Sequence, residues 1–238
     1  MTRLLFLLCA AAASCSSRPE LPIVNWHAVS AQGDDFAVSE TQLGEELDWI
    51  VAQGYRAVSL HELVEHRASG APLPAKAIAL TFDDGTADAL IAVLPALQRR
   101  GLRGTFFIVT GFVGKPGYLT WDGVGALAQA GMELGSHSVD HERLPDLSPA
   151  RAAEELAASK RELEARLQKP VEVLAYPFNS VRGGLQAAAR QAGYRAAVAG
   201  VVHGSRDLFA LYRVSVDRRT TLEQFARAVA AGAAPASR

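Results

Sequence analysis

The sequence predicts an α/β fold, a (β/α) barrel of about seven strands that is TIM-like but distorted. Three observations predict it. Short apolar runs alternate with amphipathic helical patterns along nearly the whole chain, which implies parallel strands joined by crossover helices. Seven or eight strand candidates in 238 residues suit a closed or nearly closed barrel better than an open sheet. Residues able to do chemistry also recur where strands end: His27, Asp83, Asp84, His137 and the turn after Tyr176. Barrels of this kind keep their functional groups at the C-terminal ends of strands.

The elements follow in order. Arg3 precedes an apolar run from Leu4 to Ala13, which has the length of a signal-peptide core and is too short to span a bilayer. Ala12-Ala13-Ser14-Cys15 comes next, so residues 1–15 resemble a bacterial lipoprotein signal. The expectation is an exported protein, either a periplasmic or outer-membrane lipoprotein anchored to the membrane through Cys15, or a secreted one cleaved after Ala13. Cys9 and Cys15 are the only cysteines, so no disulfide is expected in the folded region. Residues 16–21 read as a linker, 22–230 as the folded domain and 231–238 as a flexible tail. The net charge of −1, with Lys and Arg scattered, excludes a nucleic-acid surface.

Leu21 to Trp26 reads as a strand that delivers His27. Ser39 caps a helix with apolar spacing to Gly54, Tyr55 to Val58 is a short strand, and Leu60 to Ser69 a helix. Lys76 to Phe82 is a buried strand ending in Asp83-Asp84-Gly85; a helix spans Ala87 to Arg100 and stops at Gly101. Thr105 to Val109 is a strand, Thr120 caps a helix from Trp121, and Met132 to Gly135 leads into His137. Ser148-Pro149 opens a long helix, with Ser as cap and Pro at the first position. Val171 to Tyr176 is a strand, Gly184 to Ala192 a helix, Tyr194 to Ala199 and Phe209 to Val216 the last strands, and Thr220 starts the final helix.

The chemistry starts from Asp83 and Asp84. Adjacent carboxylates at the end of a buried strand repel each other unless a proton or a cation intervenes; a helix cap is the ordinary alternative. His137 and His141 are four apart, and on a helical turn that spacing puts both imidazoles on one face, where they can share a metal. One of the two Asp residues would complete a two-His, one-carboxylate site with open positions, while the other serves as general base.

Thr81-Phe82-Asp83-Asp84-Gly85, then His137-Ser138-Val139-Asp140-His141, then Ala175-Tyr176-Pro177-Phe178 resemble, in order, the motifs of the polysaccharide deacetylases, the NodB-homology fold of carbohydrate esterase family 4. Tyr118 to Trp121 and Gly131 to His137 look similar too, and the resemblance covers roughly Pro22 to Ala228. It implies that Asp84, His137 and His141 hold a divalent metal, commonly zinc. It makes Asp83 the base that activates the metal-bound water, and puts a backbone N–H near Phe178 at the oxyanion, with Tyr176 and Pro177 beside it. Two features depart from the family. Ala175 stands where many members carry Arg, and the late strand at Leu211 to Val216 has no His. Asn25-Trp26-His27-Ala28-Val29 instead resembles the first strand of a permuted subgroup that includes poly-β-1,6-N-acetylglucosamine deacetylases, which makes His27 the candidate general acid. A barrel closes on itself, so a strand moved from last to first fills the same place.

Arg213 is the candidate to replace the missing Arg beside Asp83; the alternative is a solvated strand-end Arg. Trp26 either stacks on a sugar or packs in the barrel wall. His61 and His66 read as surface residues, Trp121 as packing at a helix start, and His203 as part of a polar loop able to touch substrate. The expected function is a metal-dependent hydrolase that removes N-acetyl groups from an N-acetylglucosamine polysaccharide at the cell envelope. The alternatives are a catalytically inactive carbohydrate-binding or export scaffold on the same fold, or a deacetylase of peptidoglycan or another amide.

Overall fold

The computed structural model describes residues 21–31, 35–200 and 207–232. The expected signal segment with Cys15, all of the expected linker except Leu21, His203 and residues 233–238 of the expected tail lie outside the described residues. Ala231 does not begin a tail; it ends the last helix, with Gly232 as its cap.

Among the described residues nine strands form one sheet: β1 (Ile23–Trp26), β2 (Arg56–Val58), β3 (Ala77–Phe82), β4 (Thr105–Ile108), β5 (Glu133–Ser136), β6 (Val173–Ala175), β7 (Ala196–Ala199), β8 (Leu211–Tyr212) and β9 (Val214–Ser215). Their pairings are all parallel, in the order β8-β7-β6-β5-β4-β3-β1-β9, with β2 set against the first half of β3. The helices are α1 (Glu40–Ala52), α2 (Leu60–Ser69), α3 (Leu94–Gln98), α4 (Trp121–Gln129), α5 (Pro149–Leu167), α6 (Leu185–Gln191) and α7 (Leu222–Ala231).

The barrel nearly closes through one short segment. The single strand expected from Phe209 to Val216 is two strands, broken at Arg213. Leu211 and Tyr212 pair with Val198 and Ala199 of β7, whereas Val214 and Ser215 pair with Val24 and Asn25 of β1. Five residues therefore bridge the seventh strand to the first, and changing partners midway breaks the ladder at Arg213.

Alternation along the strands sorts side chains into two layers. Trp26, Phe82, Phe106, Leu174 and Tyr176 belong to the core shared with Leu43 and Leu47 of α1, Leu156 of α5 and Phe225 of α7. Ile23, Ala79, Phe107, Val173, Ala175 and Val198 form a second cluster inside the barrel, with Leu60, Leu63 and Val64 of α2 packed into it. Gly135 belongs to this interior: a Cβ there would lie 2.5 Å from the Phe107 ring. Toward the C-terminal ends the same inward parity continues as Asn25, Thr81, Asp83 and His137, so the interior turns polar.

Helix boundaries follow local chemistry. Ser39, Ser59, Thr120 and Ser148 each accept a backbone N–H at a helix start, as side-chain caps do. The final helix is capped by Thr221 rather than starting at Thr220. The helix expected from Ala87 to Arg100 opens instead as a π turn, Ala89–Val93, before α3. Pro95 supplies no N–H for the normal ladder, and the Leu94 N–H bonds Ala89 O five residues back.

Glu46 of α1 is 1% exposed and accepts hydrogen bonds from Trp26 Nε1 (2.7 Å) and Gln42 Nε2 (3.1 Å). Burial pushes its carboxyl up from 4.5 to about 7, against the pull of those two bonds. Between these values the folded chain binds more protons than the unfolded one, so this group's contribution to stability falls as pH rises, by ~3 kcal/mol in all once past the upper value. Glu46→Gln is expected to gain stability relative to the wild type at pH 8 compared with pH 5. Thermal unfolding of both proteins at both pH values checks this, and a constant difference between them would refute it.

Candidate active site

Asp83 and Asp84 leave β3 in different directions. The Asp83 N–H donates to Trp26 O (2.9 Å), continuing the ladder, and its side chain stays inside the barrel, 3% exposed. Asp84 takes φ 71°, in the left-handed region. The two carboxylates are thereby separated: Asp83 meets a guanidinium and Asp84 meets two imidazoles.

The guanidinium is that of Arg213, 1% exposed at the break between β8 and β9. Its NH1 donates to Asp83 Oδ1 and its NH2 to Asp83 Oδ2, both at 2.7 Å. Asn25 Oδ1 (2.9 Å), Thr81 Oγ1 (3.3 Å) and Asn179 Oδ1 (2.6 Å) accept its further N–H groups. Arg213 is thus a buried partner of Asp83, not a solvated strand-end residue. Burial alone would raise the Asp83 carboxyl; Arg213, then His137 and His27, outweigh burial and hold it well below the ordinary carboxylate range.

His137 follows β5 and donates from Nδ1 to Ala175 O (2.8 Å), which fixes the tautomer and turns the Nε2 lone pair toward the carboxylates. That Nε2 lies 3.5 Å from Asp84 Oδ1 and 3.7 Å from Asp83 Oδ2. His141 Nε2 is 3.4 Å from Asp84 Oδ1. Burial pushes His137 down to about 3 and lowers His141 as well, so both imidazoles are neutral. The two do converge, but not on a helical turn. Residues 137–141 form a loop with left-handed Ser138 (φ 65°) and His141 (φ 55°), closed by the His141 N–H on Ser138 Oγ at 3.1 Å.

One ligand atom from each of Asp84, His137 and His141 lies within 4.8 Å of the other two. One hard oxygen and two neutral imidazole nitrogens, with further positions open, form a donor set suited to a divalent transition ion. Among the described residues no other such group of His, Cys, Asp and Glu occurs.

His27, at the end of β1, places Nε2 3.9 Å from Asp83 Oδ2 and is one-fifth exposed. Its ring faces Phe36, 5.3 Å away between centroids. Trp26 is fully buried, stacked on Phe82 and bonded to Glu46, so it belongs to the barrel wall and cannot stack on a sugar. Of the third motif only Phe178 is exposed, its ring 4.8 Å from that of His141. Tyr176 is fully buried in the outer core and Pro177 is buried, so neither offers its side chain to a substrate.

His61 lies at the opposite end of the barrel, paired with Glu172, and His66 Nδ1 bonds Ala71 O at 2.6 Å. Trp121 packs under Arg166. Asn179, Asn25 and Thr81 were not singled out from sequence, because their role depends on where Arg213 arrives. Phe36 carried a signal only as an aromatic residue in a polar loop. Of the six non-glycine residues with positive φ among the described residues, five (Asp84, Ser138, His141, Phe178 and Asn179) lie here. Such backbone conformations cost free energy and cluster at functional sites.

The polysaccharide deacetylase family model matches residues 70–197, more than half the chain. The chain belongs to the polysaccharide deacetylase family. YxkH of Bacillus subtilis (strain 168), which bears the family's name, is 26% identical over 200 residues, 83% of this chain and 71% of its own length. The poly-beta-1,6-N-acetyl-D-glucosamine N-deacetylase of Escherichia coli (strain K12) is 30% identical over 134 residues, 48% of this chain but 20% of that protein. Streptococcus pyogenes deacetylase PplD, solved in complex with acetate, shares the fold: TM-score 0.79 over 87% of this chain and 96% of its own, at 23% identity. The barrel is the NodB-homology fold of this family.

Proposed function

We propose that this polysaccharide deacetylase is a metal-dependent hydrolase that removes N-acetyl groups from an N-acetylglucosamine polysaccharide at the cell envelope. The observation that carries the reading is the convergence of Asp84, His137 and His141 beside the buried Asp83–Arg213 pair. A divalent ion, zinc by the family resemblance, would be held by those three residues and would act as a Lewis acid at the acyl oxygen and on a water. Asp83 Oδ2, turned toward His137 and His27, takes the proton from the water that adds to the acyl carbon. The Phe178 backbone N–H donates to the oxygen on which charge develops. His27 Nε2 gives a proton to the amine nitrogen as the C–N bond breaks, releasing acetate. The exposed rings of Phe36 and Phe178, beside His27 and His141, wall the cleft in which a sugar lies.

The substrate class is supported by the name of the Escherichia coli relative and by the first-strand His, the envelope location by the signal-like residues 1–15. Arg213 on Asp83 stands in for the Arg that Ala175 replaces, which supports an active enzyme over the inactive scaffold.

Acetate release from β-1,6- and β-1,4-linked N-acetylglucosamine oligomers and from peptidoglycan tests the reading, before and after chelation. Release is expected from the β-1,6 oligomers, falling more than about 100-fold on metal removal and returning with Zn²⁺. Absence of acetate from every substrate in metal-loaded protein would favour the scaffold.

A further inference from the structure

We propose that Glu155 is a positioning residue that sets the affinity of the site for a divalent cation without touching the cation. Glu155 sits on α5, 1% exposed. Its Oε2 accepts the N–H groups of Val139 (3.0 Å) and Asp140 (2.9 Å), the two residues between left-handed Ser138 and His141. Two successive backbone N–H groups aimed at one oxygen form a concavity that binds an anion, and the anion here belongs to the protein. Arg151, one turn earlier on α5, has its NH2 2.8 Å from Glu155 Oε1 and 2.8 Å from Asp140 Oδ2. Ser159, one turn later, bonds Ser136 at the end of β5 (Oγ to Oγ, 2.8 Å). One face of α5 thus holds both ends of the loop that carries His137 and His141.

A buried carboxylate is costly unless hydrogen-bonded and paired: Glu155 finds its hydrogen bonds in this loop and its charge partner in Arg151 of its own helix. The loop in turn holds two non-glycine residues in a disfavoured conformation, which persists only where the surroundings impose it. His137 has a second anchor in Ala175 O, whereas His141 depends on the loop. Loss of Glu155 therefore loosens His141 first.

Zn²⁺ affinity of the full protein, measured by competition with a chromophoric chelator, tests this. Glu155→Ala is expected to bind Zn²⁺ about 10- to 100-fold more weakly, the usual effect of removing a group that orients metal ligands. Glu155→Gln, which keeps an acceptor but loses the charge, should fall between. Saturating Zn²⁺ should restore kcat to within about threefold of the wild type, since no reacting group is removed. Folded Glu155→Ala with affinity within twofold of the wild type would overturn the proposal. If that variant does not fold, Glu155→Gln decides by the same criterion, and otherwise Arg151→Ala, at the half-exposed end of the clamp. The proposal rests on the metal reading above: a wild type that binds no Zn²⁺ overturns both, whereas tight wild-type binding with unchanged variants overturns only the role of Glu155.

Discussion

Arg213→Met is expected to lose nearly all activity and about 3–5 kcal/mol of stability, because it leaves the Asp83 carboxylate buried and unpaired. In a chain of this size that corresponds to a fall in Tm on the order of 10 °C. Both Asp83 oxygens receive an N–H from Arg213 at 2.7 Å, and both side chains are almost wholly excluded from water. Arg213→Lys is not conservative here, since one ammonium cannot reproduce a fork that also reaches Asn25, Thr81 and Asn179. The double variant Asp83→Asn/Arg213→Met removes both charges and should recover much of the lost stability while staying inactive. Thermal unfolding of the wild type, both single variants and the double variant gives the coupling. Additive losses, with a coupling under about 0.5 kcal/mol, would show that the pair is not the unit described.

Much of this site was legible in sequence because β/α barrels convert chain order into place. An apolar run ending in Asp83-Asp84 locates a strand end, and strand ends converge whatever the loops do. His137 and His141 were paired for the wrong geometric reason: a spacing of four suits a helical turn, but two left-handed residues bring the rings together just as well. Sequence names Arg213 as a candidate partner of Asp83 but cannot choose between that and a solvated strand-end Arg, because the two lie 130 positions apart and meet only when the barrel closes. Glu155 did leave a signal. It shares a helix stripe with Ala152, Leu156, Ser159 and Leu163, all buried, and a carboxylate on an apolar stripe demands a partner. Sequence pattern shows that demand without showing what meets it. Pro95 stands inside the stretch read as one helix from Ala87 to Arg100, and whether such a proline gives a kink or a π turn depends on packing.

His27→Ala is expected to lower kcat by about 10²–10⁴ while leaving Zn²⁺ affinity unchanged, because His27 faces Asp83 and not the proposed ligands. A large loss alone would not separate an acid from a packing residue, since the His27 ring also rests against Phe36. The leaving group separates them. An amine departing from an acetamide is a poor leaving group until protonated, so a variant without the acid should fail on it. A nitrophenyl acetate releases a phenolate that needs no proton, and there the same variant should lose less than about tenfold. Equal losses on both substrates would reduce His27 to a residue that shapes the cleft; unchanged kcat on the amide would remove it from the mechanism. The selective loss would mean that the first strand supplies the acid. The register allows this, since β1 lies between β3, which carries Asp83, and β9, which follows Arg213 directly. Base, its cationic partner and acid would then come from three adjacent strands at the seam where the barrel closes.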